Sequence, residues 1–269
     1  MFTMPMGIYG RASGGGGASY ILPVVYYKFE SQDGSDTSNA GNSFDFTLNG
    51  SPAFTGSVPT GGGSYSLVID GVNDYGSTSD NATIGSAIDG GYSVSAWINL
   101  SPTQYGNTGV PFWNIYDSGN GNANYKNVAQ GTLYGHNSTT YGWGVQGMHR
   151  GTGGFSGVSV AYGGIDFSYG AGWDATTSWF HVVWTYDPTT NTHTQYGNGS
   201  LLRSGNPASG DPLIPTSAKF EIARNDTSTA NQDFFVDELA LWGQVLTADQ
   251  VTTLYNSGEV IDNNTALEE

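Results

Sequence analysis

The stretch that most constrains this fold lies near the C-terminus, Phe234 to Gly258, FFVDELALWGQVLTADQVTTLYNSG. Between Phe234 and Trp242 large apolar residues occupy both alternating faces. Phe235, Leu239 and Leu241 fall on one, and Val236, Ala240 and Trp242 on the other. A strand apolar on both faces must be covered on both, so it belongs at the centre of a sheet. After Gly243 the signals become those of one short helix. Thr247 is the N-cap, Gln250 completes a capping box, Leu246 and Val251 form a hydrophobic staple, and Gly258 supplies the stop. Val251, Leu254 and Tyr255 make its apolar stripe. The strand also carries Asp237 and Glu238, which an unbroken strand sends to opposite faces. A buried carboxylate there demands a cation or several donors.

Upstream the pattern is β throughout. Val24 to Phe29, Phe44 to Leu48, Tyr65 to Asp70, Trp179 to Tyr186, Thr192 to Tyr196 and Phe220 to Arg224 are strand-like runs. Tyr92 to Leu100 alternates cleanly: Tyr92, Val94, Ala96, Ile98 and Leu100 on one face, Ser93, Ser95, Trp97 and Asn99 on the other. Asn49-Gly50 and Asn198-Gly199 are turns, the second a strong hairpin signal. Residues 104–176, rich in Gly, Asn and Tyr, offer candidate strands near 110–116, 131–135, 141–148 and 157–162. With 41 Gly among 269 residues the chain is poor helix material and suits short strands on tight turns. About a dozen short strands and one terminal helix describe a two-sheet antiparallel sandwich.

Charge and cysteine content narrow the functions. The formal net charge is −16 with only 7 Lys plus Arg, a surface that repels phosphate backbones and anionic lipid. Neither nucleic acid nor a membrane surface is an expected partner. Cysteine is absent, so disulfides and thiolate metal sites are excluded. Residues 1–19 lack the basic start and apolar core of a secretory signal. The expected setting is therefore a virion surface, or another extracellular place reached by a different route. Phe2, Met4, Met6, Ile8 and Tyr9 ahead of the Gly14 to Gly17 hinge read as an arm that docks on a partner.

Seven blocks in order resemble the laminin-G-like jelly-roll family of the concanavalin A-like lectin/glucanase superfamily. They are VVYYKFE, LVIDGVNDY, YSVSAWINL, WFHVVWTYD, QYGNG, FEIAR and VDELALWGQVLTADQVTTLY. Gly197 departs from the family's usual apolar residue, and residues 104–176 have no counterpart in it. The resemblance implies a jelly roll and, commonly, a calcium ion and glycan or protein binding. In that family the loop after the first strand lies near the Asp of the last. This implies a Ca²⁺ site from Asp33 or Asp36 with Asp237, in a loop that also offers Asn39 and Asn42 as hard oxygen donors. Asp70 and Asp74, by contrast, read as local caps of a strand-ending turn.

Catalytic patterns do not appear. Glycosidic cleavage needs two carboxylates about 5–10 Å apart, and the superfamily's Glu-x-Asp-x-x-Glu array has no match here. The histidines His136, His149, His181 and His193 show no metal spacing, and His181 reads as structural. Trp97, Trp179, Trp184 and Trp242 fall in strands and read as core. Trp113, Trp143 and Trp173, with Tyr134 and Tyr141, sit among Asn and Gly, where flat rings beside amides suit sugar contact. The expectation is an all-β jelly-roll sandwich over 20–262, preceded by an arm over 1–19 and followed by a tail over 263–269. Its expected role is that of a non-enzymatic glycan-binding module of a phage decoration or fibre protein. The arm would sit on capsid or tail proteins, and the module would assemble as a homo-oligomer, a trimer for example. The rival is a secreted polysaccharide hydrolase or its accessory domain.

Overall fold

The structure is a computed structural model that describes residues 20–38, 40–41, 43–100, 109–117, 127–134, 144–149, 179–205, 215, 217–225, 228–229 and 233–268. In chain order the first elements are β1 (Val25–Tyr27), β2 (Thr47–Asn49), β3 (Ala53–Thr55), β4 (Ser66–Asp70), β5 (Tyr75–Ser77), α1 (Ala82–Ala87) and β6 (Tyr92–Leu100). There follow β7 (Gly109–Tyr116), β8 (Asn127–Tyr134), β9 (Gly144–His149), β10 (Phe180–Asp187), β11 (Thr192–Gly197) and β12 (Ser200–Gly205). The chain closes with β13 (Lys219–Ile222), β14 (Arg224–Asn225), β15 (Ser228–Thr229), β16 (Asp233–Trp242) and α2 (Ala248–Tyr255).

Two antiparallel sheets hold nearly all of these strands, which makes the fold an all-β sandwich of the jelly-roll type. One sheet has the order β12-β11-β10-β6-β16-β4-β3, with β1 also paired to β16. The other runs β2-β5-β13-β7-β8-β9. Between them lies one core in which Val94, Ala96, Ile98, Val182, Trp184, Phe220, Ile222 and Phe234 are buried. The alternation of β6 is as the sequence predicts, with Ser93, Ser95, Trp97 and Asn99 on the side away from this core.

β16 is central, between β6 on one edge and β4 and β1 on the other. Its parity differs from the expected one. Phe234, Val236, Leu239 and Leu241 face the inter-sheet core, while Ala240 and Trp242 face an outer cluster. The cause is a β-bulge: Asp237 pairs with Trp97 and Ala240 with Ser95, so β16 holds one extra residue there. The extra residue is accommodated by Glu238 at φ 53, in the left-handed region that favours glycine. Asp237 and Glu238 therefore do not point to opposite faces; both lie on the outer side of this sheet.

That outer side is covered by α2 and the residues after it. The capping box forms as expected: the Thr247 hydroxyl accepts from the Gln250 N–H, and the Gln250 side chain accepts from the Thr247 N–H. Leu246 and Val251 share one buried cluster with Tyr26, Trp242 and Leu254. The helix stops at Asn256, a left-handed C-cap at φ 44, two residues before the expected Gly258. Segment 263–269, expected as a tail, is packed where described. Leu267 is buried in the outer cluster, and the N–H of Ile21 donates to the Leu267 carbonyl at 2.8 Å. Among the described residues no helix is long and apolar enough to cross a membrane.

Candidate functional site

Pairing register assembles one polar row that no short motif reveals. On the six-stranded sheet Thr47 pairs with Ser77, Ser77 with Glu221, Glu221 with Asn114, and Asn114 with Gln130. Neighbouring positions point inward: Phe220 and Ile222 of β13 and Ile115 of β7 are core. Since side chains alternate along a strand, the row lies on the face away from the core. Thr47 is exposed, Ser77 half-buried, and Glu221, Asn114 and Gln130 are buried, so the row runs from an open end to a dry one. Asn114 donates Nδ2–H to Glu221 Oε2 at 2.9 Å. At the open end Tyr75 is half-buried, and the Arg224 guanidinium lies 4.4 Å from its ring centroid. Glu221 is the one carboxylate among the described residues of the row.

Trp113, expected as a ligand contact, is a correction. It is fully buried between the sheets, edge-on to Tyr92 and to Trp184 at 5.9 Å each. A bulge between Pro111 and Trp113 turns both Phe112 and Trp113 toward the core. Gly131 on the neighbouring strand leaves space for the indole, which any side chain there would strike. Tyr141, Trp143 and Trp173 lie outside the described residues, as do Phe2, Met4, Met6, Ile8 and Tyr9 of the arm and the candidate strand at 157–162. The backbone of Tyr134 ends β8. His181 is structural, buried with its ring 5.2 Å from that of Trp97 and 6.2 Å from that of Tyr255.

The expected metal residues do not converge. Asp33 is exposed and closes an Asx-type turn, accepting from the Ser31 hydroxyl at 2.6 Å and the Ser35 N–H at 2.9 Å; both contacts hold its carboxyl below the usual range. Asp36 is occupied by backbone donors. Its Oδ1 accepts from the N–H groups of Tyr26 at 3.0 Å and Ser38 at 2.9 Å, and its Oδ2 from that of Phe44 at 3.0 Å. Burial nevertheless leaves the Asp36 carboxyl raised. Asn39 and Asn42 lie outside the described residues. Among the described residues no group of three or more His, Cys, Asp or Glu is placed to hold a metal.

Asp237 is satisfied on one side only. It is wholly buried, Oδ1 accepts from the N–H of Glu238 at 2.9 Å, and Oδ2 has no hydrogen-bond partner among the described residues. Burial pushes its carboxyl up to about 8, the Glu238 N–H opposes this, and the Glu30 charge adds to it. Glu30 is the acid that sequence reasoning missed, because it looked like the polar end of a strand. Next to Asp237, Glu238 is raised to about 8, first by burial and then by Asp262. Tyr26 donates its hydroxyl to Glu238, and the N–H of Asn263 donates to the Tyr26 oxygen at 3.3 Å.

With this geometry in place, comparison with known proteins gives the family. A model described as the concanavalin A-like lectin/glucanases superfamily matches residues 70–252. A search of curated proteins finds no match. Among solved structures, the chain is similar to the receptor-binding domain of botulinum neurotoxin mosaic serotype C/D, with TM-score 0.57 and 14% identity over 87% of this chain and 50% of that one. It is also similar to the binding domain of Paraclostridial Mosquitocidal Protein 1, with TM-score 0.59 and 14% identity over 88% and 52%. The chain thus spans about half the length of these two domains. Domain 4 of AbnA, an arabinanase from Geobacillus stearothermophilus in complex with arabinotriose, gives TM-score 0.56 and 20% identity over 88% of this chain and 98% of the domain. These likenesses are of fold.

Proposed function

The chain belongs to the concanavalin A-like lectin/glucanase superfamily, and on that premise we propose that it is a non-enzymatic carbohydrate-binding module. The observation that carries the reading is the row Ser77–Glu221–Asn114–Gln130, which sets one carboxylate among hydroxyl and amide groups on a single sheet face. Sugar hydroxyls pair with such groups, and at the open end Tyr75 stands beside them with the Arg224 guanidinium over its ring. Glu221 is the one acid among the described residues of the row, whereas glycoside cleavage uses a pair, one as acid and one as base or nucleophile. Further support is that domain 4 of AbnA is in complex with arabinotriose.

The proposal extends to a phage virion surface, as a decoration or fibre component. Its arm, Phe2 to Tyr9, would be seated on capsid or tail proteins, and copies would assemble into a symmetric oligomer. The support is geometric as well as compositional. Tyr20, where the arm joins the body, bridges to Glu268 next to Leu267 of the outer cluster on the eight-stranded sheet. The open end of the polar row, at Thr47 and Ser77, lies on the opposite side of the sandwich, so an arm-mounted module would turn that end outward.

A glycan-array screen followed by Glu221→Gln tests the reading. The expected result is binding to at least one glycan, weakened roughly tenfold or more by the substitution as a charge-assisted hydrogen bond is lost. The thermal midpoint should be retained. An array without any bound glycan, or a hit indifferent to Glu221, would reject the site. Deleting residues 1–19 should abolish capture on particles and leave glycan binding intact.

A further inference from the structure

β13 alternates as a strand covered on its inner face should, with Phe220 and Ile222 in the core and Glu221 in the polar row. Continued in register, this alternation would turn Ala223 outward and Arg224 into the core. The chain does the reverse. Ala223 is wholly buried in the core next to Ile222, and Arg224 is half-buried with its guanidinium 4.4 Å from the centroid of the Tyr75 ring. The cause is local: Ala223 sits at φ 61, in the left-handed region, and its N–H donates to the Phe112 carbonyl at 2.8 Å.

Tyr75 precedes Ser77 by two residues on β5, so the two share a face, and the ring also reaches the rim of the core. Thr47, exposed, pairs with Ser77 from the neighbouring strand. The kink at Ala223 therefore delivers a cation to the open end of the polar row. Non-glycine residues at such φ values persist only where their surroundings hold them, and they concentrate at ligand clamps. The residue so aimed is scarce, because the chain has 7 Lys plus Arg against 23 Asp plus Glu. A surface of that balance repels anions, which makes one braced guanidinium a selective place for them. Its N–H donors form a planar fork that matches a carboxylate by two parallel hydrogen bonds.

We propose that Arg224 makes the open end of the row a subsite for the carboxylate of an acidic sugar, of the uronic acid class. Tyr75 braces the guanidinium, and Ala223 is the positioning residue that aims it. The sugar carboxylate docks on the fork while neighbouring hydroxyls reach Ser77 and Thr47. This rests on the carbohydrate reading above and names the class of sugar that the row takes. A sulfate ester would meet the same charge without the planar match.

The test is a glycan array of matched sets, each uronate-containing oligosaccharide beside its neutral and its sulfated counterpart. The parent chain should favour the uronate member by about tenfold or more, a preference that shrinks as salt is raised. Arg224→Gln should erase the preference. Arg224→Lys should keep only part of it, since the charge remains and the fork does not. Glu221→Gln should instead weaken all members of a set alike. Hits confined to neutral glycans overturn the acidic subsite and leave the carbohydrate reading standing. So does a preference untouched by Arg224→Gln, or a loss in that variant that is equal for uronate and neutral members. Stronger binding of the sulfated member overturns the carboxylate assignment, and an array without any hit rejects both this subsite and the reading beneath it.

Discussion

Tyr26 donates its hydroxyl hydrogen to the carboxyl of Glu238, a residue 212 positions further along the chain. The contact joins the first strand to the bulge of the last, and Asn263 adds its N–H to the same phenol oxygen at 3.3 Å. First strand, last strand and C-terminal segment are thereby tied at one buried oxygen. The strained backbone of Glu238, at φ 53, is held in place by these contacts and by the carboxamide of Asn263 on its carbonyl at 3.5 Å.

Tyr26→Phe keeps the ring in the outer cluster and removes only the hydroxyl. It leaves Glu238 and the Asn263 N–H without their partner in a dry site. The expected loss is about 1–3 kcal/mol of unfolding free energy, read by urea titration. A loss below a few tenths of a kcal/mol would mean that the junction relaxes without it.

Gly131→Ala places a methyl group against the Trp113 indole, which is packed between Tyr92 and Trp184. Overpacking of this kind costs typically 1–3 kcal/mol. The midpoint in urea should fall with the slope unchanged, and near-ultraviolet circular dichroism should report a displaced tryptophan. A neutral result would place Trp113 in a looser environment than the fold indicates.

What the sequence discloses and what it hides divide along one line. Local devices are legible: the alternation of β6, the Thr247–Gln250 capping box and the both-faces burial of β16 each depend on neighbours within a few residues. Features created by register are not. Glu221 and Asn114 are 107 positions apart and meet only because β13 pairs with β7. One extra residue in β16 reverses the parity read from FFVDELALW and brings Asp237 and Glu238 to the same side. Glu30 looks like a strand's polar end until the N–H groups of Ser64 and Tyr65 give it a place. Helix α1 escaped notice because it is six residues long and carries Gly85 in its middle.

Thr247→Ala tests a device the sequence did disclose. It removes the acceptor for the Gln250 N–H and half of the reciprocal capping box. Loss of such a cap typically costs about 1 kcal/mol. Because α2 covers Trp242 and Tyr26 through Val251 and Leu254, hydrogen exchange at these positions should rise with the global loss. Exchange raised only at residues 247–250 would mean that the helix frays locally without loosening the outer layer.

His181 sets an acid limit on stability. It is buried against Trp97 and Tyr255, its Nδ1 has no partner among the described residues, and burial lowers its pKa from 6.5 to about 3. The unfolded chain takes up a proton near pH 6.5, whereas the native chain stays unprotonated until about pH 3. Between those values the unfolded state binds more protons, so stability must fall as pH is lowered through the window. The slope for this one group approaches about 1.4 kcal/mol per pH unit. His181→Phe retains a ring for the stack and has nothing to titrate. Between pH 6 and pH 4 the parent should lose roughly 1–3 kcal/mol more than the variant, by urea unfolding at each pH. Parallel pH profiles would show that His181 gains a proton in the native state, and that its site is wetter than the packing of Trp97 and Tyr255 implies.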